Sequence, residues 1–382
     1  MNNGERCVRH YISRRVIRLR WQGGRITDLA AAPGASTDEW WVAPLLFDLQ
    51  VNGYAGVDFQ QDDLTLDHLI AACRQLLAAG CGRFLLTLVT DEWTTLRQRL
   101  RRLRSLRAQS PELEHAIAGW HIEGPFLSAE PGFHGAHDPA LMQDPTPERI
   151  CELRSATGND CLLLTLAPER SGAIAAIEAA VSLGIKVSLG HTNAPADCLQ
   201  RAVAAGATGF THLGNGCPQA LDRHDNILWR ALETPGLTVS LIPDQHHVSP
   251  TLFRLLHRVL DPARIYYITD AIAAADAPPG PYTMGRLALD VGTDGIVRQP
   301  GKSNYAGSAL RPVDGVFRAA HMLGCPWQEA WTRFADGPRQ FLGQPWSWAL
   351  GDRADFCLLK VAGDHRLDQL EVYLAGRLAF KR

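Results

Sequence analysis

The chain has 382 residues, 46% hydrophobic and 20% charged, which suits one large domain with an accessory piece or two to three domains. Its 38 basic and 40 acidic residues give a formal net charge of -2, which argues against nucleic acid or an anionic membrane as a partner. Nine cysteines stand without a CxxC pair, so no disulfide framework is expected; Cys217 alone neighbours a candidate site, and the others read as small core hydrophobes.

The N-terminal MNNGERCVRHYISRR has no apolar signal core, and no later segment approaches about 18 uninterrupted apolar residues. A cytoplasmic, soluble protein is the expectation. Residues from about 10 to 45 include RRVIRLRWQGGRITDL and WWVAPLL, which predict short strands joined by glycine turns. The C-terminal ADFCLLKVAGDHRLDQLEVYLAGRLAF alternates in the same way, and its AG-R turn predicts a hairpin. Both ends together predict a small β-sandwich, residues 1–44 and 347–382, around a central unit of residues 45–346.

Eight apolar runs follow one another through the centre: 45–51, 83–90, 116–123, 161–168, 185–191, 208–213, 237–244 and 264–270. Amphipathic, Ala- and Leu-rich segments separate them, such as LDHLIAACRQLLAAG and SPTLFRLLHRVL. Apolar strands alternating with helices indicate βα units and a parallel sheet. Eight of them predict an α/β fold, a (β/α)8 TIM-type barrel, in preference to an open doubly wound sheet. No GxGxxG follows a strand and no P-loop occurs. The basic RRLRSLRAQS reads as a solvated outer helix. Past the eighth run, a Gly/Pro-rich stretch from PPGPYTMG to AGSALRP predicts a hairpin insertion and a loop, before two closing helices.

Four of the predicted strands end on residues that bind metals or move protons: Glu123 in GWHIEGPF, His191 in KVSLGH, His212 in GFTHLGN and Asp270 in IYYITDA. In a (β/α)8 barrel these ends converge on one face. One carboxylate and two imidazoles form a catalytic ligand set for a Zn²⁺-like ion with a position left for water. Asp270 suits proton transfer, although an aspartate there can equally cap the next helix. His137 in GFHGAHDP and His247 in PDQHHVSP follow the third and seventh strands, where either can donate to a polarised carbonyl or a sugar hydroxyl. Their neighbours His134 and His246 show how ambiguous such assignments are.

Taken together, HIEGPF, SLGH, THLGN and ITDA resemble the N-acetylglucosamine-6-phosphate deacetylases of the amidohydrolase superfamily. The resemblance runs from FDLQVNGYAGVDF to AGSAL and into the terminal ADFCLLK segment. It implies a barrel with a sandwich built from both termini, and metal-dependent deacetylation of N-acetyl-D-glucosamine 6-phosphate in amino-sugar catabolism. It places the metal ligands on Glu123, His191 and His212, the catalytic aspartate on Asp270 and the carbonyl-polarising histidine on His137. His247, Asn215 and Gly216 fall at substrate and phosphate contacts. Arg223 falls where the family has an arginine that reaches the neighbouring subunit's site in a homodimer.

Two departures qualify the resemblance. Where many amidohydrolases carry His-x-His and bind a second metal, this chain has Gln50-Val51-Asn52, a variant also met among these deacetylases. Amides are poor zinc ligands, so one divalent ion per subunit is expected: zinc foremost, with iron, manganese and cobalt as alternatives. The second is Gly214-Asn215-Gly216-Cys217-Pro218, where relatives have an aromatic before the asparagine and Ala-Met-Pro after it. A non-phosphorylated amino sugar or another N-acyl compound therefore stays open as the substrate, with a non-catalytic scaffold barrel as the rival from another class.

Overall fold

The computed structural model describes residues 2–302, 304–344, 348–363 and 365–382. Eight parallel strands lie side by side in chain order. They are β1 (Leu46–Val51), β2 (Cys81–Val89), β3 (Ile117–Glu123), β4 (Cys161–Leu166), β5 (Lys186–Leu189), β6 (Gly209–Phe210), β7 (Thr238–Leu241) and β8 (Ile265–Tyr267). A parallel bridge from Val51 to Ala271 joins the first strand to the chain beyond the eighth and closes the barrel. The strands read as apolar runs because both faces are covered, and every residue of β1 and β3 is buried.

Helices form the outer ring, and local chemistry sets where several begin. Thr146 and Ser249 each accept a hydrogen bond from the third backbone amide beyond them, with a proline opening the helices Pro147–Thr157 and Pro250–Val259. Pro147–Thr157 and the short Ile227–Glu233 were not among the expected helices, since neither segment carries an extended apolar face. The last helix, Trp327–Phe341, packs under the first strand: Trp331 Nε1 donates to the Pro44 carbonyl at 2.9 Å.

Both termini build one seven-stranded, largely antiparallel sheet, from Gly4–His10, Val16–Gln22, Arg25–Ala31 and Trp41–Ala43 with Phe356–Ala362, Arg366–Leu374 and Arg377–Lys381. Trp21 packs edge-on against Phe356 and Tyr373, at 5.2 and 5.5 Å between ring centres, although those residues lie on strands far along the sheet. The sheet therefore folds over itself as a sandwich with its own apolar core around Val8, Leu19, Trp21 and Phe356. Its first strand starts earlier than the sequence reading placed it. Of the expected domain junctions, residues 44 and 45 fall between Trp41–Ala43 and β1, while 346 and 347 lie outside the described residues.

The insertion after β8 is a small antiparallel sheet of Gly280–Met284, Leu287–Val291 and Val297–Arg298. Two buried carboxylates fasten it to the barrel. Asp58 Oδ2 accepts from Thr283 Oγ1 and the Gly285 amide, at 3.1 and 2.8 Å, and Asp91 Oδ1 pairs with Arg286 at 2.9 Å. Asp91 also holds Arg99 at 2.7 Å, so the basic helix Trp93–Arg107 turns one arginine inward and is solvated only in part. The cysteines form no disulfide among the described residues; Cys73, Cys81, Cys198 and Cys357 are buried as expected, whereas Cys151 is exposed because it sits on the outer face of its helix.

Candidate metal and active site

The strand-end residues meet at the C-terminal mouth of the barrel. Glu123 is the last residue of β3, and the other three stand just past their strands in an unusual backbone state. His191, His212 and Asp270 have φ of 50°, 34° and 53°, the left-handed region that costs an L-residue about 1–2 kcal/mol. This turn is why β6 ends at Phe210 and not, as expected, at Leu213. Hydrogen bonds hold it: the His212 amide donates to Ser240 Oγ at 2.7 Å, and the Asp270 carbonyl accepts from the Ser308 amide at 2.8 Å. Such strain gathers where a site over-determines its geometry.

Glu123, His191 and His212 offer three ligand atoms lying within 4.8 Å of one another. His212 Nε2 lies 2.8 Å and His191 Nε2 3.4 Å from the same Glu123 oxygen. His191 Nδ1 stands 2.9 Å from the Phe133 carbonyl, which can only accept, so Nδ1 carries the proton and Nε2 presents a lone pair to the cluster. Burial works against the Glu123 charge, but His191 and His212 beside it prevail and hold its carboxyl well below the usual range. An anionic carboxylate and two imidazoles at this spacing fit a divalent ion.

Two glycines explain how His191 is seated. A Cβ on Gly135 would come 2.8 Å from its Cε1, and one on Gly216 would come 2.9 Å from its Nδ1. Both glycines also have positive φ, 58° and 61°. The departure at Gly216 thus brings the loop close against the His191 ring. Asn215 donates twice to the His212 carbonyl, from its amide at 2.9 Å and from Nδ2 at 3.3 Å.

Asp270 is held from one side only. Gln50 Nε2 and Asn52 Nδ2 donate to its Oδ1 at 3.0 and 2.8 Å, while Oδ2 makes no hydrogen bond among the described residues. Burial, with the nearby Glu123 charge, raises its carboxyl to about 7. The sequence reading treated Gln50 and Asn52 only as poor ligands and missed this role; the available signal was their spacing of two, which puts both on one side of the strand end. Beneath them Asp48 accepts from the amide and hydroxyl of Thr269, tying β1 to the chain beyond β8, and does not line the cavity.

His137 reaches the cluster from the loop after β3, with Nε2 3.9 Å from Glu123 and its ring 4.6 Å from that of His191. Burial and the neighbouring His191 lower it to about 3, so its imidazole is neutral. Its Nδ1 lies 2.9 Å from Thr90 Oγ1, and in the tautomer in which Thr90 donates, Nε2–H faces the cavity. His247 shifts the opposite way: burial opposes its charge, but Asp244, 2.6 Å away, outweighs it and raises its pKa above the ordinary value. A cavity of about 710 Å³ opens above these groups. It includes Asn215, Gly216, His134 and His246, together with Lys302, Asn304 and Tyr305 from the insertion loop, which the sequence reading did not single out. Arg223 is exposed and does not line this cavity.

Fold and site define a (β/α)8-barrel hydrolase of the amidohydrolase kind, with a side-chain cluster able to hold a metal ion. No family model matches the chain. It is 30% identical over 346 residues to the N-acetylglucosamine-6-phosphate deacetylase of Vibrio furnissii, spanning 88% of this chain and 82% of that one. It is equally identical, over 94% of both chains, to the N-acetylgalactosamine-6-phosphate deacetylase of Escherichia coli O157:H7. Among solved structures it is similar, at TM-score 0.84 and 31% identity over 96% of this chain and 95% of the other, to a mutant N-acetyl-D-glucosamine-6-phosphate deacetylase of Mycobacterium smegmatis in complex with N-acetyl-D-glucosamine-6-phosphate. The chain belongs to the N-acetylglucosamine-6-phosphate deacetylase family.

Proposed function

We propose that this chain hydrolyses the acetamide of N-acetyl-D-glucosamine 6-phosphate, releasing acetate and D-glucosamine 6-phosphate, in cytoplasmic amino-sugar catabolism. The observation that carries the reading is the juxtaposition of the Glu123, His191 and His212 cluster with Asp270, whose Oδ1 is tied down by Gln50 and Asn52. Glu123, His191 and His212 would hold one divalent ion, zinc foremost, which when bound polarises a carbonyl oxygen and acidifies a water.

Asp270 Oδ2 takes a proton from the attacking water and returns it to the departing amine. His137 donates from Nε2 to the acetamide oxygen as negative charge develops there. His247, Asn215 and Gly216 bind the sugar and its phosphate. Arg223, which lies outside its own cavity, takes the role the family resemblance implies: in a homodimer it reaches the neighbouring subunit's site, where a guanidinium pairs well with phosphate. Residues 45–346 form the catalytic unit and the terminal sandwich supports it.

The test is acetate release by the metal-loaded protein from N-acetyl-D-glucosamine 6-phosphate, its unphosphorylated form and the 6-phosphate of N-acetyl-D-galactosamine. The reading expects the first to give the highest kcat/KM. Equal turnover with and without the phosphate removes the sugar-phosphate assignment, and higher turnover of the galactosamine compound reassigns the sugar.

A further inference from the structure

The acidic side chains that line the cavity, Glu123 and Asp270, stand on its floor, where a bound divalent ion would offset their charge. An anionic substrate entering here needs a compensating cation at the other end. Histidines apart, Lys302 is the only cationic side chain among the described residues that line the cavity. Its ammonium forms no ion pair among the described residues.

The loop that carries Lys302 is built as a wall. An antiparallel bridge between Arg298 and Tyr305 closes it at its base. Within it the Lys302 amide donates to the Gln299 carbonyl at 3.0 Å, and Asn304 Nδ2 donates to Gln299 Oε1 at 3.3 Å. Tyr305 sets its ring edge-on to His247, at 5.2 Å. Just beyond, Ser308 bridges to Ala271 and its amide donates to the Asp270 carbonyl, so the loop is fastened to the same chain segment as the proton-transfer group. Asp58 and Asp91 clamp the other side of the insertion.

We propose that Lys302 is a specificity-determining residue that binds the phosphate of the substrate within its own chain, on the side of the cavity where Tyr305 meets His247. This deepens the function proposed above and rests on it. It adds to Arg223 a phosphate ligand that does not depend on a second subunit. An ammonium supplies a compact, mobile charge there, where a charge-assisted hydrogen bond is among the stronger single contacts.

Steady-state kinetics and calorimetry on the metal-loaded full chain test it. Lys302→Met should raise KM for N-acetyl-D-glucosamine 6-phosphate about 10-fold or more, leave kcat within about 2-fold, and leave kcat/KM for the unphosphorylated compound unchanged. Binding of D-glucosamine 6-phosphate should weaken in parallel while that of D-glucosamine stays the same. Lys302→Arg should recover most of the loss. A Lys302→Met protein that keeps the wild-type preference for the phosphorylated substrate overturns the assignment, as does one that loses both substrates equally. A wild-type protein with no such preference instead removes the sugar-phosphate reading itself, and Lys302 with it.

Discussion

The floor of this site and its rim are built on different physical terms. On the floor, Glu123, His191, His212 and Asp270 are all buried, and their backbones are pinned by neighbouring strands and loops. On the rim, Lys302 is exposed, and Tyr305 is 37% exposed. The floor spends backbone strain to aim a few groups within hydrogen-bond distance of each other. The rim leaves its charges free to meet whatever enters. If the first region carries the chemistry and the second the recognition, as proposed, substitutions in the two should separate into kcat and KM effects.

The largest effect should come from the floor. Asp270→Asn is expected to lower kcat by about 10²- to 10⁴-fold with the metal content unchanged, because it removes the proton acceptor and leaves the ligand cluster whole. Metal analysis beside turnover checks this, and near-normal activity would strike Asp270 from the mechanism. Gly216→Ala comes next and probes where rim meets floor. Its Cβ would press on the His191 ring, so metal affinity should fall about 10- to 100-fold, with turnover recovering at high metal concentration. Asn52→Ala removes one of the two hydrogen bonds that orient Asp270 and should cost about 10-fold in kcat with KM little changed.

The smallest effect concerns the Asp244–His247 pair at the edge of the floor. Burial opposes both charges, yet each partner outweighs it, holding Asp244 below and His247 above its ordinary value. Asp244 adds stability that is present above its unfolded pKa and is lost as pH falls through the lowered folded one. His247 adds stability that is complete below its unfolded pKa and is lost as pH rises through the raised folded one. The pair is therefore worth most between about pH 4 and pH 6.5. Asp244→Asn should lower stability by about 1–3 kcal/mol in that window, and less above it, when denaturation is followed across pH.

How much of this was legible in the chain follows from range. The eight apolar runs announced the barrel, and the Glu, His and Asp at four of their ends marked the floor, because strand ends of a barrel converge on one face. The exact end of β6 was not legible: the left-handed turn at His212 depends on Ser240, nearly thirty residues away. Gln50 and Asn52 meet Asp270 across more than two hundred positions, and no local periodicity encodes such a contact. Lys302 was hidden for the opposite reason. A lone lysine in a Gly/Pro-rich loop looks like solvated surface until the fold sets it over a cavity lined by no other lysine or arginine among the described residues.

The central claim is that one divalent ion, held by Glu123, His191 and His212, makes the barrel a deacetylase. The direct measurement strips the protein of metal and titrates Zn²⁺, Fe²⁺, Mn²⁺ or Co²⁺ back while acetate release from N-acetyl-D-glucosamine 6-phosphate is followed. Activity that is absent in the stripped protein and saturates at one equivalent per chain is the predicted result. Full activity without metal, or none with any of the four ions, would contradict it.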